Sequence, residues 1–592
     1  MASSKVICID NKPRLSVDGT TIPECAYVTY FDERNRYADF VQNGYRLFSV
    51  PVSFAARPIN SRTGFSPYQK GIFDCFENPD FSCIDTAIQK IITACPNAYI
   101  FPRIYITMPL WWCEQYPKET LTLPTGETRE LLMSEQFRRD GIKMLELVIE
   151  HIQNCGYANH IIGYHIAGGH TEEWFHFGLN GGYCENVKPY FQQYLKQYYS
   201  NETYTSDLPD LNDIKGQGEI KNTQLKRYLE FSNQEVAETI YRFARAVKEI
   251  TDYEQTVGVF YGYTMEVCNG LFGNLAIGHL IDKNEIDFFC SPNSYVGTRS
   301  LGIDWGDMIA TGSVKSHGKL CFLECDIRTS LSDYVNNCRP GADKNNMYYG
   351  DIWLGPKTIK NSVNAMRKSF AHQYTKGSGM WWFDMWGGWY DHTAYRKEAK
   401  NSLSLYSKRN QKYVEFSPQL AVFADGNAYI HQCIGTRSHR SQFEIRNAVG
   451  NSGVPYESYL LQDFETQYKN YKAIIFPSVI MTEDLQKAVS ICEKEHIPYL
   501  LATEEKWNFT AEEIRAFAKS AGAWIFCESD DVIYCGNGLL GIHAATEGNK
   551  TVKLPQKCKI KNLHTKQPPF ISDEICITTA KFETQLFLLE NI

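Results

Sequence analysis

The chain has 592 residues and a formal net charge of −8, with 43% hydrophobic, 22% charged and 14% aromatic residues. This length predicts two or three domains, and an acidic balance without a basic stripe argues against nucleic acid or a membrane as partner. No apolar run approaches the ~20 residues of a membrane span, and the first ten residues predict a strand instead of a signal peptide. The 19 Cys lack CxxC spacing, and Cys113, Cys155 and Cys184 are isolated, so we expect a cytoplasmic protein without metal or cofactor.

Residues 1–408 predict a (β/α)8 TIM barrel that follows a small β-hairpin with its turn at 17–20. Eight apolar runs are the predicted strands. They are 24–30, 45–52, 98–107, 161–167, 256–263, 286–291, 319–324 and 379–384. Between them, Ser134 is placed to cap a helix, and residues 232–235 match a capping box.

Residues 409–540 repeat the alternation of strand and helix on a shorter scale. The predicted strands are 419–424, 456–461, 472–477 and 498–502, and the predicted helices are 482–494 and 510–520. This pattern predicts a flavodoxin-like α/β domain. Residues 541–592 carry a β pattern and predict a small C-terminal β domain, so the fold class is α/β with three domains.

Glu324 ends the predicted seventh strand of the barrel, directly after an apolar run. Barrel enzymes carry their chemistry at the carboxyl ends of the strands. Asp326 and Arg328 follow at alternate positions, and a neighbouring arginine keeps a carboxylate ionised, as a nucleophile requires. We predict Glu324 as a nucleophile with Asp326 and Arg328 beside the substrate; a structural ion pair is the alternative interpretation.

A second acidic pair, Glu172 and Glu173, follows the predicted fourth strand. Two carboxylates from two strands are the minimum equipment for cleaving a glycosidic bond. Trp174 would raise the pKa of Glu173 and favour it as the acid/base. Glu172 stays open as the alternative, because periodicity cannot separate neighbours on irregular backbone. His170 is either a substrate contact or a structural residue.

Other strand ends supply residues that could bind a sugar. Arg103 lies on the third strand and Trp112 follows it, while Tyr295 follows the sixth strand, where its phenol could donate to the nucleophile. Trp382 and Trp386 belong to an aromatic run at the eighth strand. Apolar sugar faces stack on indole rings, but alternate strand residues face opposite sides, so packing is an equal alternative for each Trp.

These residues resemble the clan-A glycoside hydrolases, and most of all the family 42 β-galactosidases. The residues that carry the resemblance are Pro109, Trp111, Trp112, Tyr116 and Pro117, the segments 161–164, 453–457 and 471–477, and Glu324 at the nucleophile position. The resemblance implies a barrel, an α/β trimerisation domain and a small β domain. It also implies a homo-oligomer, with a trimer as the first expectation.

Two departures separate this chain from that family. Its Asn-Glu pair would fall on Gly168 and Gly169, whereas the carboxylates come a few residues later, and its zinc-binding Cys cluster is missing. Both favour a divergent relative that also resembles the trimeric β-mannosidases of family 164. We predict a retaining exo-β-glycosidase that acts on β-galactosides or β-mannosides; a non-catalytic or degenerate carbohydrate-binding barrel is the alternative.

Overall fold

A small antiparallel sheet covers the amino end of a barrel in the computed structural model, which describes residues 2–56, 70–75, 77–122, 127–176, 184–339, 353–409 and 413–592. Its strands are β1 (Ser4–Ile9), β2 (Lys12–Val17) and β3 (Thr20–Thr21). The turn between β2 and β3 lies at the predicted place. Ser4 N donates to Glu254 O and Leu15 N to the Glu24 carboxylate. Both partners precede barrel strands, so the carboxyl end of the barrel remains for a site.

Eight parallel strands close the barrel, as the sequence predicts. The strands of this region, including the ribbon of β7 and β8, are β4 (Cys25–Val28), β5 (Leu47–Ser53), β6 (Tyr99–Tyr105), β7 (Thr120–Thr122), β8 (Thr128–Glu130), β9 (Gly163–Ala167), β10 (Thr256–Phe260), β11 (Phe288–Cys290), β12 (Leu320–Cys325) and β13 (Gly379–Phe383). The order around the barrel is β4-β5-β6-β9-β10-β11-β12-β13. Each predicted strand therefore has its counterpart in the barrel.

Helices surround the barrel and connect its strands. They are α1 (Tyr37–Gln42), α2 (Ser82–Ala94), α3 (Leu110–Gln115), α4 (Glu135–Asn154), α5 (Lys188–Tyr198), α6 (Thr223–Ile250), α7 (Thr311–Ser316), α8 (Val335–Cys338), α9 (Ile359–Thr375) and α10 (Thr393–Ser407). Ser134 caps α4 as predicted, since its hydroxyl accepts from Phe137 N at 3.0 Å. The predicted capping box at Ser232 is wrong: this residue is buried inside α6, whose cap is Asn222. The apolar face continues upstream of Ser232, so the helix already begins at Thr223.

Aromatic rings fill the interior of the barrel in layers. Rings of the first layer lie 5.3–6.3 Å apart and belong to Phe101, Phe288 and Phe322. The next layer contains His165, Phe260 and Trp381. Gly258 makes room for the Phe288 ring of the first layer, because a Cβ at this position would lie 1.8 Å from that ring. The interior is therefore a packed core, and any substrate must bind above it at the carboxyl end.

The second domain is a parallel four-stranded sheet between helices. Its elements are β14 (Leu420–Ala424), α11 (Gly426–Ile430), α12 (Ser441–Gly450), β15 (Tyr456–Leu460), α13 (Phe464–Gln467), β16 (Ala473–Phe476), α14 (Glu483–Lys494), β17 (Tyr499–Leu501) and α15 (Ala511–Ser520). The strand order β15-β14-β16-β17 is the doubly wound arrangement expected of a flavodoxin-like domain.

An antiparallel five-stranded sheet completes the chain. Its strands are β18 (Val532–Gly536), β19 (Leu539–His543), β20 (Gly548–Asn562), β21 (Phe570–Thr579) and β22 (Thr584–Glu590). The sheet begins before residue 541, because β18 and β19 form a hairpin and β19 pairs with β22. Within the described residues, no helix combines the length and apolar character needed to cross a membrane.

Candidate active site

Glu324 lies at the carboxyl end of β12 and faces the interior of the barrel. It pairs in register with Trp381 on β13, which belongs to the interior ring layer. The residue is 5% exposed. Burial raises its pKa well above the ordinary value, the charge of Asp326 adds to the rise, and Arg103 opposes it. Glu324 thus places an ionisable oxygen where the packed core ends.

The loop after β9 has an unusual backbone that turns two neighbouring carboxylates apart. Thr171, Glu172 and Trp174 have positive φ angles of 58°, 59° and 61°. Left-handed backbone costs a residue with a side chain about 1–2 kcal/mol, and such outliers gather at functional sites. Gly169 (φ 68°) is required here, since a Cβ would lie 2.9 Å from Trp174 Cα. The bond from Trp174 N to Gly168 O, at 2.7 Å, closes the turn.

Glu173 is held by two hydroxyl donors. Tyr263 Oη donates to its Oε1 at 2.8 Å and Thr171 Oγ1 to its Oε2 at 2.9 Å, while Asn274 donates to its main-chain oxygen at 3.1 Å. Burial raises the pKa of Glu173, and Arg103, Tyr263 and Thr171 oppose the rise. The Glu173 charge also raises the pKa of Glu324. The charge of Glu173 therefore reaches Glu324, as expected of two groups in one site.

Glu172 turns away into a buried polar cluster. Thr107 Oγ1 donates to its Oε1 at 2.8 Å, and Arg129 Nη2 lies 3.6 Å from the same oxygen. Arg129 also contacts Glu130 at 3.5 Å. Burial raises the pKa of Glu172 to about 7, against the opposing effects of Arg129 and Thr107. Of the adjacent pair left open by the sequence, Glu173 is the one whose carboxyl accepts from Tyr263 and whose charge raises the pKa of Glu324.

The predicted cause of the raised Glu173 pKa is corrected. Trp174 does not form a wall for this carboxyl; its ring packs against Gly168 and Phe243 on α6, with 6.1 Å between the Trp174 and Phe243 ring centroids. Desolvation by the site as a whole is the largest contribution. His170 lies on the same loop. Its main-chain N–H donates to the main-chain oxygen of Phe175 at 2.9 Å, and its side chain is buried.

Arg103 supplies a positive charge to both carboxyls. It lies on β6 with its guanidinium 4.3 Å from the Phe260 ring centroid, and Nη1 donates to Tyr30 Oη at 2.6 Å. Its charge lowers the pKa of Glu324 and of Glu173. The predicted position of Arg103 beside the site is therefore consistent with the structure.

Asp326 is fully buried between two arginines and a phenol. Arg299 Nη1 lies 2.9 Å from Oδ2, Arg328 Nη1 lies 2.5 Å from Oδ1, and Tyr295 Oη donates to Oδ2 at 2.8 Å. Burial alone would raise the pKa of Asp326, but Arg328 and Arg299 outweigh it and lower the pKa. Tyr295 thus donates to Asp326 and not, as predicted, to Glu324. Arg299 was missed by the sequence reasoning.

An aromatic cluster adjoins Arg328. Its guanidinium carbon lies 4.9 Å from the Trp353 ring centroid and 5.5 Å from that of Trp389. Trp386 is fully buried and packs against Trp353 at 5.9 Å and Phe31 at 5.4 Å. Trp386 therefore supports the rings that contact Arg328.

Trp382 and Trp112 face the surrounding helices, which corrects their predicted role as substrate contacts. The Trp382 indole donates to Tyr45 Oη at 2.8 Å, and the Trp112 indole donates to Asp140 on α4 at 2.8 Å. Both rings are almost completely buried. On β13, Trp381 faces the interior, because alternate strand residues point to opposite sides.

No family model and no curated protein matches the sequence. A β-galactosidase from Bacillus circulans sp. alkalophilus aligns over 96% of this chain and 99% of its own, with 11% identity and a TM-score of 0.63. A catalytic mutant of a GH42 β-galactosidase from G. stearothermophilus covers 96% and 98% at 11% identity and a TM-score of 0.60. An exo-carrageenase GH42 from Bacteroides ovatus covers 99% of this chain and 85% of its own, at 10% identity and a TM-score of 0.58. The chain therefore resembles the family 42 glycoside hydrolases, with their fold over nearly its whole length.

Proposed function

We propose that this protein is a retaining exo-β-glycosidase in which Glu324 is the nucleophile and Glu173 the acid/base. The observation that carries the proposal is the placement of two carboxyls in one site: Glu324 faces inward at the carboxyl end of β12, and Tyr263 and Thr171 hold Glu173 on the loop after β9. The charge of Glu173 raises the pKa of Glu324, and Arg103 lowers the pKa of both. Two carboxyls on either side of one glycosidic bond are what this hydrolysis requires. The shared fold with named β-galactosidases supports the same reaction class.

The reaction needs one carboxylic acid and one carboxylate. Burial raises the pKa of both Glu173 and Glu324, and the charge of Glu173 adds to the rise at Glu324, so simultaneous ionisation of the two carboxyls is disfavoured. The pKa of Glu324 is raised well above its ordinary value, whereas the reaction requires an ionised Glu324 and a protonated Glu173. Positive charge that develops at the anomeric carbon favours an ionised Glu324, and Arg103 and Arg299 act in the same direction.

The proposed reaction has two displacements. Glu173 gives its proton to the glycosidic oxygen while Glu324 attacks the anomeric carbon, which forms a covalent glycosyl ester and releases the aglycone. Glu173, now a base, takes a proton from water, and the water oxygen displaces Glu324 from the sugar. This chemistry predicts a separation of ~5–5.5 Å between the two carboxyl groups. Arg299 and Arg328 keep Asp326 ionised and fixed beside the nucleophile.

The proposed substrates are β-galactosides or β-mannosides cleaved from a chain end. The names of solved proteins with this fold support the galactoside class, and the sequence departures after β9 support the mannoside class. The partly buried Trp353 ring beside Arg328, which packs against the fully buried Trp386, lies near the site. Discrimination between epimers depends on contacts with single hydroxyls.

The test is turnover of aryl β-galactoside, β-mannoside, β-glucoside and β-fucoside, with the first product followed by NMR. We expect one or two to be hydrolysed, with the β-anomer released first. Glu324→Ala should abolish turnover, and azide should rescue it with an α-glycosyl azide as product. Glu172→Gln is the matched control and should retain far more activity than Glu173→Gln. An α-anomer as first product would contradict retention, and binding of sugars without turnover by clean protein would favour the non-catalytic barrel.

A further inference from the structure

Three potential metal ligands meet outside the candidate active site, between the helices α2 and α4. Asp85 lies in the first turn of α2, while His151 and Cys155 lie in the last turn of α4 and at its C-cap. His151 Nε2 is 2.8 Å from Asp85 Oδ1 and 3.4 Å from Cys155 Sγ, and Cys155 Sγ is 3.9 Å from Asp85 Oδ1. One nitrogen, one oxygen and one sulfur thus form a small triangle. Among the described residues, this is the one group of three or more His, Cys, Asp or Glu side chains whose ligand atoms all lie within 4.8 Å of one another.

The triangle has the dimensions of a first coordination sphere. A point equidistant from its three atoms lies about 2.0 Å from each, within the range of zinc–nitrogen and zinc–oxygen bonds, and a cation slightly out of that plane reaches the ~2.3 Å of a zinc–sulfur bond. Hydrogen bonds alone would explain the contacts on His151 but do not require the thiol and the carboxylate to converge on the same ring nitrogen. The side chains need little movement to take up a metal ion.

Neighbouring residues hold these ligands in place. The His151 ring stacks on Phe81 with 4.2 Å between centroids and 8° between planes. Tyr157 Oη donates to Asp85 Oδ1 at 2.5 Å, the kind of outer hydrogen bond that orients ligating carboxylates. The side chains of His151 and Asp85 are 24% and 44% exposed. An ion can therefore enter from solvent without opening the fold.

We propose that Asp85, His151 and Cys155 form a Zn²⁺ site that joins α2 to α4, with water as the fourth ligand. A mixed N/O/S donor set suits zinc and disfavours Mg²⁺ and Ca²⁺, which prefer oxygen ligands. Binding places the metal on the unprotonated Nε2 of His151, with the ring proton on Nδ1. It releases the Cys155 thiol proton to solvent, so affinity rises with pH. This proposal differs from the sequence expectation of no metal at Cys155. Its proposed co-ligands are Asp85 on another helix, α2, and His151, one turn before Cys155 in α4.

The test is a calorimetric titration of the chelator-treated, full-length protein with Zn²⁺, with Co²⁺ as a spectroscopic probe. We expect one Zn²⁺ per chain, about one proton released, a higher melting temperature with zinc, and a thiolate-to-cobalt charge-transfer band. Cys155→Ser and His151→Ala should each weaken binding at least tenfold and remove the band. Cys576→Ser, which removes an exposed cysteine on β21, is the matched control and should bind like the wild type.

Two results would overturn the proposal. One is a wild-type protein that takes up no zinc at micromolar concentration. The other is binding that survives both Cys155→Ser and His151→Ala unchanged, which would assign the metal to other cysteines. Asp85→Asn adds a variant at a half-exposed position, where misfolding is not expected and circular dichroism can verify the fold. It should weaken zinc binding and leave hydrolysis of glycosides unchanged.

Discussion

Tyr263→Phe tests whether Glu173 works as a proton donor. The phenol donates to Glu173 Oε1 at 2.8 Å and stabilises the ionised carboxylate, which lowers its pKa. A hydrogen bond to a charged group contributes about 1.5–3 kcal/mol, and 1.36 kcal/mol corresponds to one pKa unit. Since Thr171 continues to donate to the other oxygen, removal of the phenol should raise the pKa of Glu173 by about one unit.

The assay is the pH profile of kcat/KM on the best aryl glycoside. An acid must be protonated to act, so activity falls as pH rises through the pKa of Glu173, and the basic limb should move upward by about one unit in Tyr263→Phe. Tyr164→Phe is the matched control. Tyr164 is a buried phenol on β9 whose hydroxyl has no hydrogen-bond partner among the described residues, so the profile should not change. A basic limb that stays in place or moves to lower pH in Tyr263→Phe would refute the role of Glu173.

Stability, substrate affinity and molecular mass offer three further tests. Burial raises the pKa of Glu172 from 4.5 to about 7, so the folded state binds this proton more tightly than the unfolded state. The resulting stabilisation is present at low pH and is lost as pH rises through the pKa of the folded state. The free energy of unfolding of the wild type should therefore fall by about 3 kcal/mol from pH 4.5 to 7 relative to Glu172→Gln. Urea unfolding of both proteins across this pH range measures the difference. If the free energies of unfolding of the two proteins change with pH in the same way, the raised pKa of Glu172 is contradicted. Trp112→Phe removes the bond to Asp140 and should lower stability by about 1 kcal/mol with KM unchanged; a raised KM would return Trp112 to the substrate site. Light scattering at micromolar concentration should give the mass of a trimer, and a monomer would refute the oligomer expectation.

Most of the fold follows from the sequence because buried parallel strands leave a strong local signal. Apolar runs with charge only at their ends, such as the one before Glu324, mark both the strand and the end that carries chemistry. Helix caps were less predictable. A serine before an apolar face marks the cap at Ser134, where the helix begins, but the same pattern at Ser232 lies inside α6, since a helix continues wherever its apolar face does.

The sequence does not show which of the two alternating sets of side chains on a strand faces the barrel interior, and this limited the prediction of the site. Trp381 and Trp382 are equivalent to any pattern of period two, and only the register of Glu324 with Trp381 decides which ring faces inward. Tyr263 and Arg299 come from loops after β10 and β11, so their contacts with Glu173 and Asp326 depend on loop paths that carry no periodic signal. The separation of Glu172 from Glu173 rests on left-handed backbone at residues that rarely adopt it.

Trapping the covalent intermediate tests the proposed role of Glu324 as the nucleophile most directly. The 2-deoxy-2-fluoro derivative of the best aryl glycoside slows both steps, so the glycosyl ester accumulates and can be located by proteolysis and mass spectrometry. We expect one added glycosyl group per chain on the peptide that contains Glu324. An adduct on the peptide of Glu173, or steady turnover of the natural glycoside with no adduct formed by the trap, would contradict it.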